Sequence, residues 1–299
     1  MDWVERILRI RQHTQHGVRA PHKPLLLLLA LARFQRDGDR PIPFSAAEEP
    51  LGRLLTEFGP PRSTSPGYPF HHLTNDDKIW VVETPDGTGS PGSGLSKLRR
   101  PGVQGRLHPD LAHALTADPS LVGQLARALL EANFEPSLHD DICQEAGLDL
   151  EGIDLPAPTE RLLPPRDPRF RMRVLEAYEY CCAFCGYEGW LNGTAVGLDA
   201  AHLQWRSYGG PDQVDNGLCL CTLHHRLLDR GVLGMTQDRT VAVSRKFIGR
   251  TAATLKLVHE LSGRPVSEPQ SGLPTPNALH IDWHTAQVFR SPAREPAAA

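Results

Sequence analysis

The strongest hydrophobic pattern in the first half of the chain is the run LLLLLALA, which spans Leu25–Ala32. Apolar residues on nearly every side predict a buried central helix, which we place over His22–Arg36 with Pro24 in its first turn. The run contains eight residues, whereas a membrane-spanning helix needs about 20. The pattern therefore favours a core helix, and we expect no association with a membrane.

Shorter amphipathic stretches surround this helix. Asp2 can cap a first helix that carries Trp3 and Ile7. Further helices are predicted over Ala46–Phe58, Asp118–Phe134 and Ser137–Gly147, and a strand over Lys78–Glu83. Short helices around one small hairpin are typical of a winged-helix-like mixed α/β module, so we expect an α+β fold here.

A proline-rich segment divides the chain. Residues 155–168, LPAPTERLLPPRDP, contain five prolines. Because proline has no N–H donor and restricts the residue before it, we predict a semi-rigid linker. One domain is then expected over residues 1–154 and a second over 169–292, followed by a disordered tail over 293–299.

Cysteine and helix patterns set the second half apart. A helix is predicted over Pro168–Tyr180, a strand over Thr194–Ala200 and a short helix over Thr222–Arg230. Five of the six cysteines fall within the 41 residues from Cys181 to Cys221. That clustering excludes a small secreted scaffold held by disulfides and indicates a reducing compartment, and the N-terminus lacks a secretory pattern. We therefore expect a cytoplasmic protein.

Two ligand pairs in this region predict a metal site. Cys182-x-x-Cys185 and Cys221-x-x-His224 together supply the four tetrahedral ligands of a closed structural zinc site. The alternatives are buried free cysteines or a redox CxxC, but a redox pair would need no second pair downstream. Cys181 could replace Cys182 in another register.

The formal net charge of −3 is unevenly distributed. Residues 1–127 carry 16 basic and 13 acidic side chains, and residues 156–299 carry 16 and 14. Residues 128–155 carry eight acidic side chains and no Lys or Arg. Two mildly basic parts are therefore masked by an acidic segment, and the net charge does not exclude a nucleic-acid partner.

The string from Leu198 to Gly231, LDAAHLQWRSYGGPDQVDNGLCLCTLHHRLLDRG, resembles the HNH (ββα-metal) nuclease family. The resemblance implies a catalytic set of His202, Asn216 and His225. A neutral histidine can take a proton from water, which is the role implied for His202. Asn216 is expected to bond loop backbone and orient His202, and Asp229 to bond backbone at the helix end.

A catalytic Mg2+ or Mn2+ is implied by the same resemblance, with His225 as one ligand. The family usually has Asp or His directly before its first histidine, and Ala201 stands there instead. Alternate residues of a strand share a side, so Asp199 lies on the same side as Ala201 and is the candidate second ligand.

Two N-terminal strings, GVRAPHKPL at Gly17–Leu25 and GPP…YPFHHL ending at Leu73, occur together with this motif. The combination resembles the sulfur-binding domain and nuclease of type IV, modification-dependent restriction endonucleases of the McrA type, in a short two-domain form. The resemblance implies recognition of DNA in which sulfur replaces a non-bridging phosphate oxygen. The residues implied to bind sulfur or DNA are Arg19, His22, Lys23, Tyr68, Pro69, His71, His72, Lys97, Arg99 and Arg100.

Physical chemistry supports parts of this assignment. Sulfur is larger and less well hydrated than oxygen, so an apolar Tyr68–Pro69 corner accepts it, while an oxygen buried there without a partner costs about 1–3 kcal/mol. The charge of the phosphorothioate would meet Arg19, His22 and Lys23 near a helix N-terminus. Lys97, Arg99 and Arg100 could contact flanking phosphates or guanine.

The sequence thus predicts an α+β protein with a winged-helix-like sulfur-binding domain and a zinc-containing ββα-metal (HNH) nuclease domain. Its expected activity is phosphorothioate-dependent cleavage of double-stranded DNA. A homodimer, or two molecules that meet on the DNA, is expected because each HNH site cuts one strand. The alternatives are an HNH endonuclease that acts on methylated or unmodified DNA, and a non-catalytic zinc-containing DNA-binding protein.

Overall fold

The computed structural model describes residues 2–12, 14–15, 18–150 and 167–296, with backbone only for 14–15 and 18–19. The chain forms two compact units, Met1–Pro164 and Pro165–Ala299. Most of the predicted linker over 155–168 lies outside the described residues. Within the described ranges, no helix combines the length and apolar character needed to cross a membrane.

The N-terminal unit combines helices with a small antiparallel sheet. Its helices are α1 (Trp3–Leu8), α2 (His22–Asp37), α3 (Phe44–Phe58), α4 (Gly67–His72), α5 (Leu95–Leu98), α6 (Pro109–Ala117), α7 (Ser120–Asn133) and α8 (His139–Ala146). Its strands are β1 (Thr14–Gln15), β2 (Val18–Arg19), β3 (Ile42–Pro43), β4 (Trp80–Thr84), β5 (Gly87–Thr88) and β6 (Gln104–Leu107). The sheet has the order β3–β6–β4–β5, so the predicted α+β class is confirmed.

Helix α2 is the centre of this unit. Every residue of Leu25–Ala32 is at most 4% exposed, because α3, α4, α7 and α8 pack around it. At the N-terminus of α1, Asp2 Oδ1 accepts a hydrogen bond from the Glu5 amide at 3.1 Å, which is the predicted cap. Apolar residues on all sides of α2 therefore fix the positions of the surrounding helices.

The predicted apolar corner of Tyr68 and Pro69 is helical. Both residues lie in the first turn of α4. Proline is tolerated in a first helical turn, where its missing N–H has no intrahelical partner. Gly67 begins this helix in close contact with the loop before α5, since a Cβ at Gly67 would lie 2.4 Å from the Ser93 carbonyl oxygen.

The C-terminal unit is built around a strand–strand–helix arrangement. Its elements are α9 (Phe170–Ala177), β7 (Trp190–Leu191), β8 (Thr194–Ala195), β9 (Leu198–His202), β10 (Gly217–Cys221), α10 (Thr222–Asp229), β11 (Leu233–Met235), β12 (Val241–Val243), α11 (Ala252–Leu257) and α12 (Ala278–Gln287). Strands β9 and β10 are antiparallel, with His202 opposite Gly217 and Leu198 opposite Cys221. Because α10 follows β10 directly, the three elements form the expected ββα unit.

Two predicted boundaries in this unit change. The predicted strand over Thr194–Ala200 is divided, because Gly197 has a φ of +73° and separates β8, which pairs with β7, from β9. At the C-terminus, Ala293 forms a bridge with Ser244, and the Arg294 amide donates to the Val243 carbonyl at 2.7 Å. The predicted disordered tail therefore begins within packed residues, and 297–299 lie outside the described residues.

Candidate functional site

The four predicted zinc ligands come together in the C-terminal unit. The candidate ligand atoms of Cys182, Cys185, Cys221 and His224 all lie within 4.8 Å of one another. His224 Nδ1 is 3.5 Å from the Cys182 sulfur and 3.3 Å from the Cys221 sulfur. A tetrahedral zinc ion, with bonds of about 2.3 Å to sulfur and 2.0 Å to nitrogen, holds such atoms about 3.5 Å apart. The donor set and its spacing therefore fit zinc.

Hydrogen bonds orient and polarise this cluster. His224 Nε2 donates to the Leu257 carbonyl at 2.8 Å, which turns Nδ1 toward the cysteines. Burial lowers the pKa of His224, but hydrogen bonds with Cys182 and Cys221 outweigh it and raise that pKa to about 10. Hydrogen bonds from Cys185 and Cys221 lower the pKa of Cys182. These contacts favour the thiolate of Cys182, whereas hydrogen bonds with Cys182 and Cys221 raise the pKa of Cys185. The thiolate is the form that binds a metal ion.

A second arrangement surrounds His202, the last residue of β9. The ring is 7% exposed and stacks on Phe170, with ring centroids 4.3 Å apart and an interplanar angle of 13°. Nε2 lies 2.9 Å from Asp212 Oδ1. Since a carboxylate only accepts, Nε2 carries the hydrogen and Nδ1 the lone pair. Stacking on Phe170 and the hydrogen bond with Asp212 therefore orient the His202 ring.

Asp212, which sequence reasoning missed, is itself held by three groups. Its Oδ2 accepts from the Asp167 amide at 2.9 Å and lies 3.6 Å from Arg206 Nε. Arg173 donates to the Asp212 carbonyl at 2.7 Å and to the Asp167 carboxylate at 2.8 Å. Only the path of the loop after β9 brings Asp212 to His202, so spacing along the chain gave no indication of it.

Asn216 connects the two sides of that loop. Its side chain is fully buried, Oδ1 accepts from the Gln204 amide at 2.8 Å, and Nδ2 donates to the carbonyls of Gln204 and Pro211 at 2.9 and 3.0 Å. Gly210 permits this close approach, since a Cβ there would lie 1.8 Å from the Gln204 carbonyl oxygen. The loop that follows His202 is therefore closed by one side chain.

His225 lies between two carboxylates. Its Nδ1 is 3.6 Å from Asp199 Oδ2, and its Nε2 is 3.3 Å from Asp229 Oδ2. The Asp199 carboxylate is partly exposed, and a hydrogen bond and charge from His225, with Arg171 nearby, lower its pKa. Asp229, expected to bond backbone at the helix end, is fully buried and faces His225. This pair of nitrogen and oxygen donors, Asp199 with His225, opens toward solvent.

The N-terminal unit contains a cleft of about 520 Å³ beside the start of α2. Its lining residues are Arg11, Gln12, Ala20, His22, Lys23, Tyr68, His72 and Asn75. The Tyr68 and His72 rings have centroids 4.3 Å apart, and the Tyr68 and His22 rings meet edge to face at 6.5 Å. Aromatic faces and one lysine therefore share a single concave surface.

A buried carboxylate lies under the lysine of this cleft. Lys23 Nζ is 2.5 Å from Asp76 Oδ2, and the two side chains are 11% and 7% exposed. Asp76 Oδ1 also accepts from the Arg11 amide at 3.0 Å. Sequence reasoning missed Asp76 as well. The ion pair compensates the lysine charge and fixes the position of Lys23.

The other predicted DNA-binding residues lie elsewhere in the unit. Pro69 is buried in α4 and does not line the cleft. His71 Nδ1 is 2.8 Å from Ser90 Oγ. Around α5, Lys97, Arg99 and Arg100 are exposed, and Arg99 forms a bidentate ion pair with Glu48. Arg19 belongs to β2, and its side chain is outside the described residues.

Family comparisons identify both domains of the chain. The sequence model of the ScoMcrA-like DNA sulfur-binding domain matches residues 1–151 of the 299. The chain belongs to this family. Residues 182–236 match the HNH endonuclease family, and they include the metal cluster, His202 and His225. The chain therefore joins a sulfur-binding domain to an HNH-type DNA endonuclease domain, and the predicted family and enzyme class are confirmed.

Three solved structures resemble this chain with low sequence identity and low TM-scores. The sulfur-binding domain of ScoMcrA complexed with phosphorothioated DNA is 22% identical, with a TM-score of 0.41, over 50% of this chain and 96% of that chain. That of SprMcrA, also with phosphorothioated DNA, is 23% identical, with a TM-score of 0.40, over 49% and 93%. The type IV phosphorothioation-dependent restriction endonuclease ScoMcrA is 21% identical, with a TM-score of 0.39, over 56% and 34%.

The two sequence matches establish the family. The chain spans about a third of the restriction endonuclease ScoMcrA. No curated protein matches the chain.

Proposed function

We propose that this protein is a phosphorothioate-dependent restriction endonuclease, which hydrolyses duplex DNA that carries sulfur in its backbone. The observation that supports this best is the presence of a DNA sulfur-binding domain and an HNH endonuclease domain in one chain. The first domain would select the substrate, and the second would cut it.

Sulfur recognition is assigned to the cleft beside α2. Tyr68 and His72 present ring surface to the ligand, and His22 and Lys23 supply donors at the helix start. Because Asp76 already compensates Lys23, an ordinary phosphate gains little from charge alone. An oxygen against the aromatic surface would also lose about 1–3 kcal/mol of hydrogen bonding to water. The cleft would thus favour sulfur.

His202 is the proposed general base. Its Nδ1 would take the proton of the attacking water, while Asp212 at 2.9 Å from Nε2 stabilises the imidazolium that forms. Asn216 and Phe170 keep the ring in place. Asp212 is thus a positioning residue for this step.

Asp199 and His225 are the proposed ligands of a catalytic Mg2+ or Mn2+. Their donor atoms are 3.6 Å apart, against about 3 Å for adjacent ligands of an octahedral ion with bonds near 2.1 Å. Such ions take one or two protein ligands together with substrate oxygens. When bound, the ion stabilises negative charge on the leaving oxygen. Asp229 would fix the ring of His225 from behind.

Zinc is the proposed structural ion of the cysteine cluster. Two further parts of the hypothesis concern organisation: two molecules would meet on DNA to cut both strands, and the protein would act in the cytoplasm. The domain limits of 1–154 and 169–292 remain predictions.

Three duplexes of one sequence test the activity. One is unmodified, and each of the other two carries a single phosphorothioate in one of its two configurations. We expect cleavage of one sulfur-bearing duplex in Mg2+ or Mn2+ and none of the unmodified duplex. His202→Ala should retain selective binding without cleavage. Equal cleavage of all duplexes would contradict the proposal.

A further inference from the structure

A strongly basic segment follows β12 in the nuclease domain. Residues 245–256, RKFIGRTAATLK, contain four basic side chains and no acidic one. All four, Arg245, Lys246, Arg250 and Lys256, are exposed. Residues 156–299 as a whole carry only two more basic than acidic side chains. Four of the 16 basic side chains of this half therefore lie within twelve residues that contain no acidic side chain.

None of these four side chains is compensated within the part of the chain that the structure describes. They form no ion pair or side-chain hydrogen bond there. Other basic residues of the same unit are compensated: Arg239 lies 3.2 Å from Glu268 and Arg264 lies 3.4 Å from Glu260. Uncompensated like charges repel each other, so the cluster costs stability and produces a positive surface potential.

The backbone under these charges is held in place. The Arg245 amide donates to the Pro292 carbonyl at 2.9 Å, and Arg294 donates to the Phe247 carbonyl at 2.7 Å. Thr251 Oγ1 caps α11 by accepting from the Thr254 amide at 3.2 Å. The next residue after the segment, Leu257, accepts the hydrogen bond from His224. The segment is therefore attached to the metal cluster and so to the ββα unit.

Apolar side chains lie among the charges. Ile248 is 77% exposed, and Leu255 and Leu257 are each 43% exposed. Exposed apolar side chains do not improve the contact of this surface with water. Duplex DNA offers both kinds of partner, since its phosphates attract cations and its sugars present apolar surface in the grooves. α11 has six residues, which is short for an amphipathic helix that binds a membrane surface.

We propose that residues 245–256 form a second DNA contact, which binds the backbone of duplex DNA regardless of sulfur. The proposal rests on the proposed function only for the identity of the partner. Sulfur would determine which duplex is bound, and this segment would hold that duplex on the nuclease domain. Its contribution depends on salt, because each cation that contacts a phosphate releases condensed counterions.

Binding by the full chain at several salt concentrations tests this. The chain carries His202→Ala to prevent cleavage, and no divalent ion is added. The fourfold variant replaces Arg245, Lys246, Arg250 and Lys256 by Gln. The logarithm of its association constant should fall less steeply with the logarithm of the salt concentration, and the magnitude of this slope should decrease by about 3–4, at about 0.9 per phosphate contact. Affinity should fall by the same factor for the modified and the unmodified duplex.

Two double variants, each of which removes two positive charges, test whether the position of the lost charge matters. Arg250→Gln with Lys256→Gln should lower the slope by about 2, whereas Arg239→Gln with Arg264→Gln should leave it unchanged, since those charges are compensated. Zinc content and circular dichroism confirm that each variant is folded.

An unchanged slope in the fourfold variant would overturn the proposal, as would an equal loss in the control pair. Binding to anionic lipid vesicles that is lost in the fourfold variant, with unchanged DNA binding, would also overturn it. Failure of the proposed function has a different signature: the parent chain would bind modified and unmodified duplexes equally, whatever the slopes.

Discussion

The metal cluster of the nuclease domain and the cleft of the sulfur-binding domain are built in opposite ways. The cluster uses two short sequence pairs, and each pair already contains two adjacent ligands, Cys182 with Cys185 and Cys221 with His224. The cleft brings together side chains from α2, α4 and the segment before β1, and no single motif contains all of them. A site made of local pairs depends on its ion, whereas a site made of distant segments depends on the packing of the whole domain.

Loss of the metal should separate the two regions most strongly. Cys221→Ala should abolish cleavage and unfold the C-terminal unit, because structural zinc supplies folding free energy, with apparent values of about 10–16 kcal/mol in zinc-finger peptides. Binding to sulfur-modified DNA by the N-terminal unit should persist. Limited proteolysis measures the unfolding of the C-terminal unit, and a DNA-binding assay measures the retained affinity for sulfur-modified DNA. Cys181→Ala, outside the cluster, is the control, and equal damage from it would contradict the ligand assignment.

His202→Ala should give the next largest effect. We expect single-turnover cleavage to fall by about 10²–10⁴, the usual contribution of a general base, with unchanged affinity for modified DNA. His280→Ala is a suitable control, since His280 contacts Gln204 in the same loop region but not the proposed reacting atoms. Cleavage at the parent rate would remove His202 from the mechanism.

Asp212→Asn should have a smaller effect, because the amide can still contact His202 but cannot fix its tautomer. We expect cleavage to fall by about 10–100-fold, by analogy with the carboxylates that orient metal-binding histidines, with the apparent affinity for DNA unchanged. Asp215→Asn, in the same loop, should cleave normally. A change in affinity alone would indicate that Asp212 acts through loop structure.

Tyr68→Ala should give the smallest change and bears on the cleft. The preference for sulfur-modified over unmodified DNA should fall by about tenfold, which corresponds to about 1.4 kcal/mol, within the cost of burying an unpaired oxygen. His71→Ala, on the same helix but bonded to Ser90 outside the cleft, is the matched control. A preserved preference in Tyr68→Ala would place the sulfur elsewhere.

Sequence patterns were sufficient where partners are close along the chain. The leucine run predicted α2, and x-x spacing predicted the grouping of the four metal ligands. The limits of elements were less predictable. Gly197 interrupts a strand that the alternating pattern would continue, and Tyr68 and Pro69 lie in the first turn of a helix although their composition favours a turn.

Contacts across loops could not be predicted. Asp212 meets His202 from ten residues away, and Asp76 meets Lys23 from 53 residues away. Each contact depends on the path of the intervening backbone, which no local preference determines. Both residues are carboxylates that hold a functional side chain in place. The sequence therefore did not reveal the residues that position the functional side chains.

The hydrogen bond from the Asp167 amide to Asp212 limits where the nuclease domain can be cut from the chain and joined to another domain. An excised nuclease with the predicted limits 169–292 would keep every candidate ligand and His202, but it would lose the amide that holds Asp212 against His202. Ala293 and Arg294, which bond β12 and the loop after it, would also be lost. Exchange of one recognition domain for another should therefore join the chains before Asp167 and retain residues through at least Arg294.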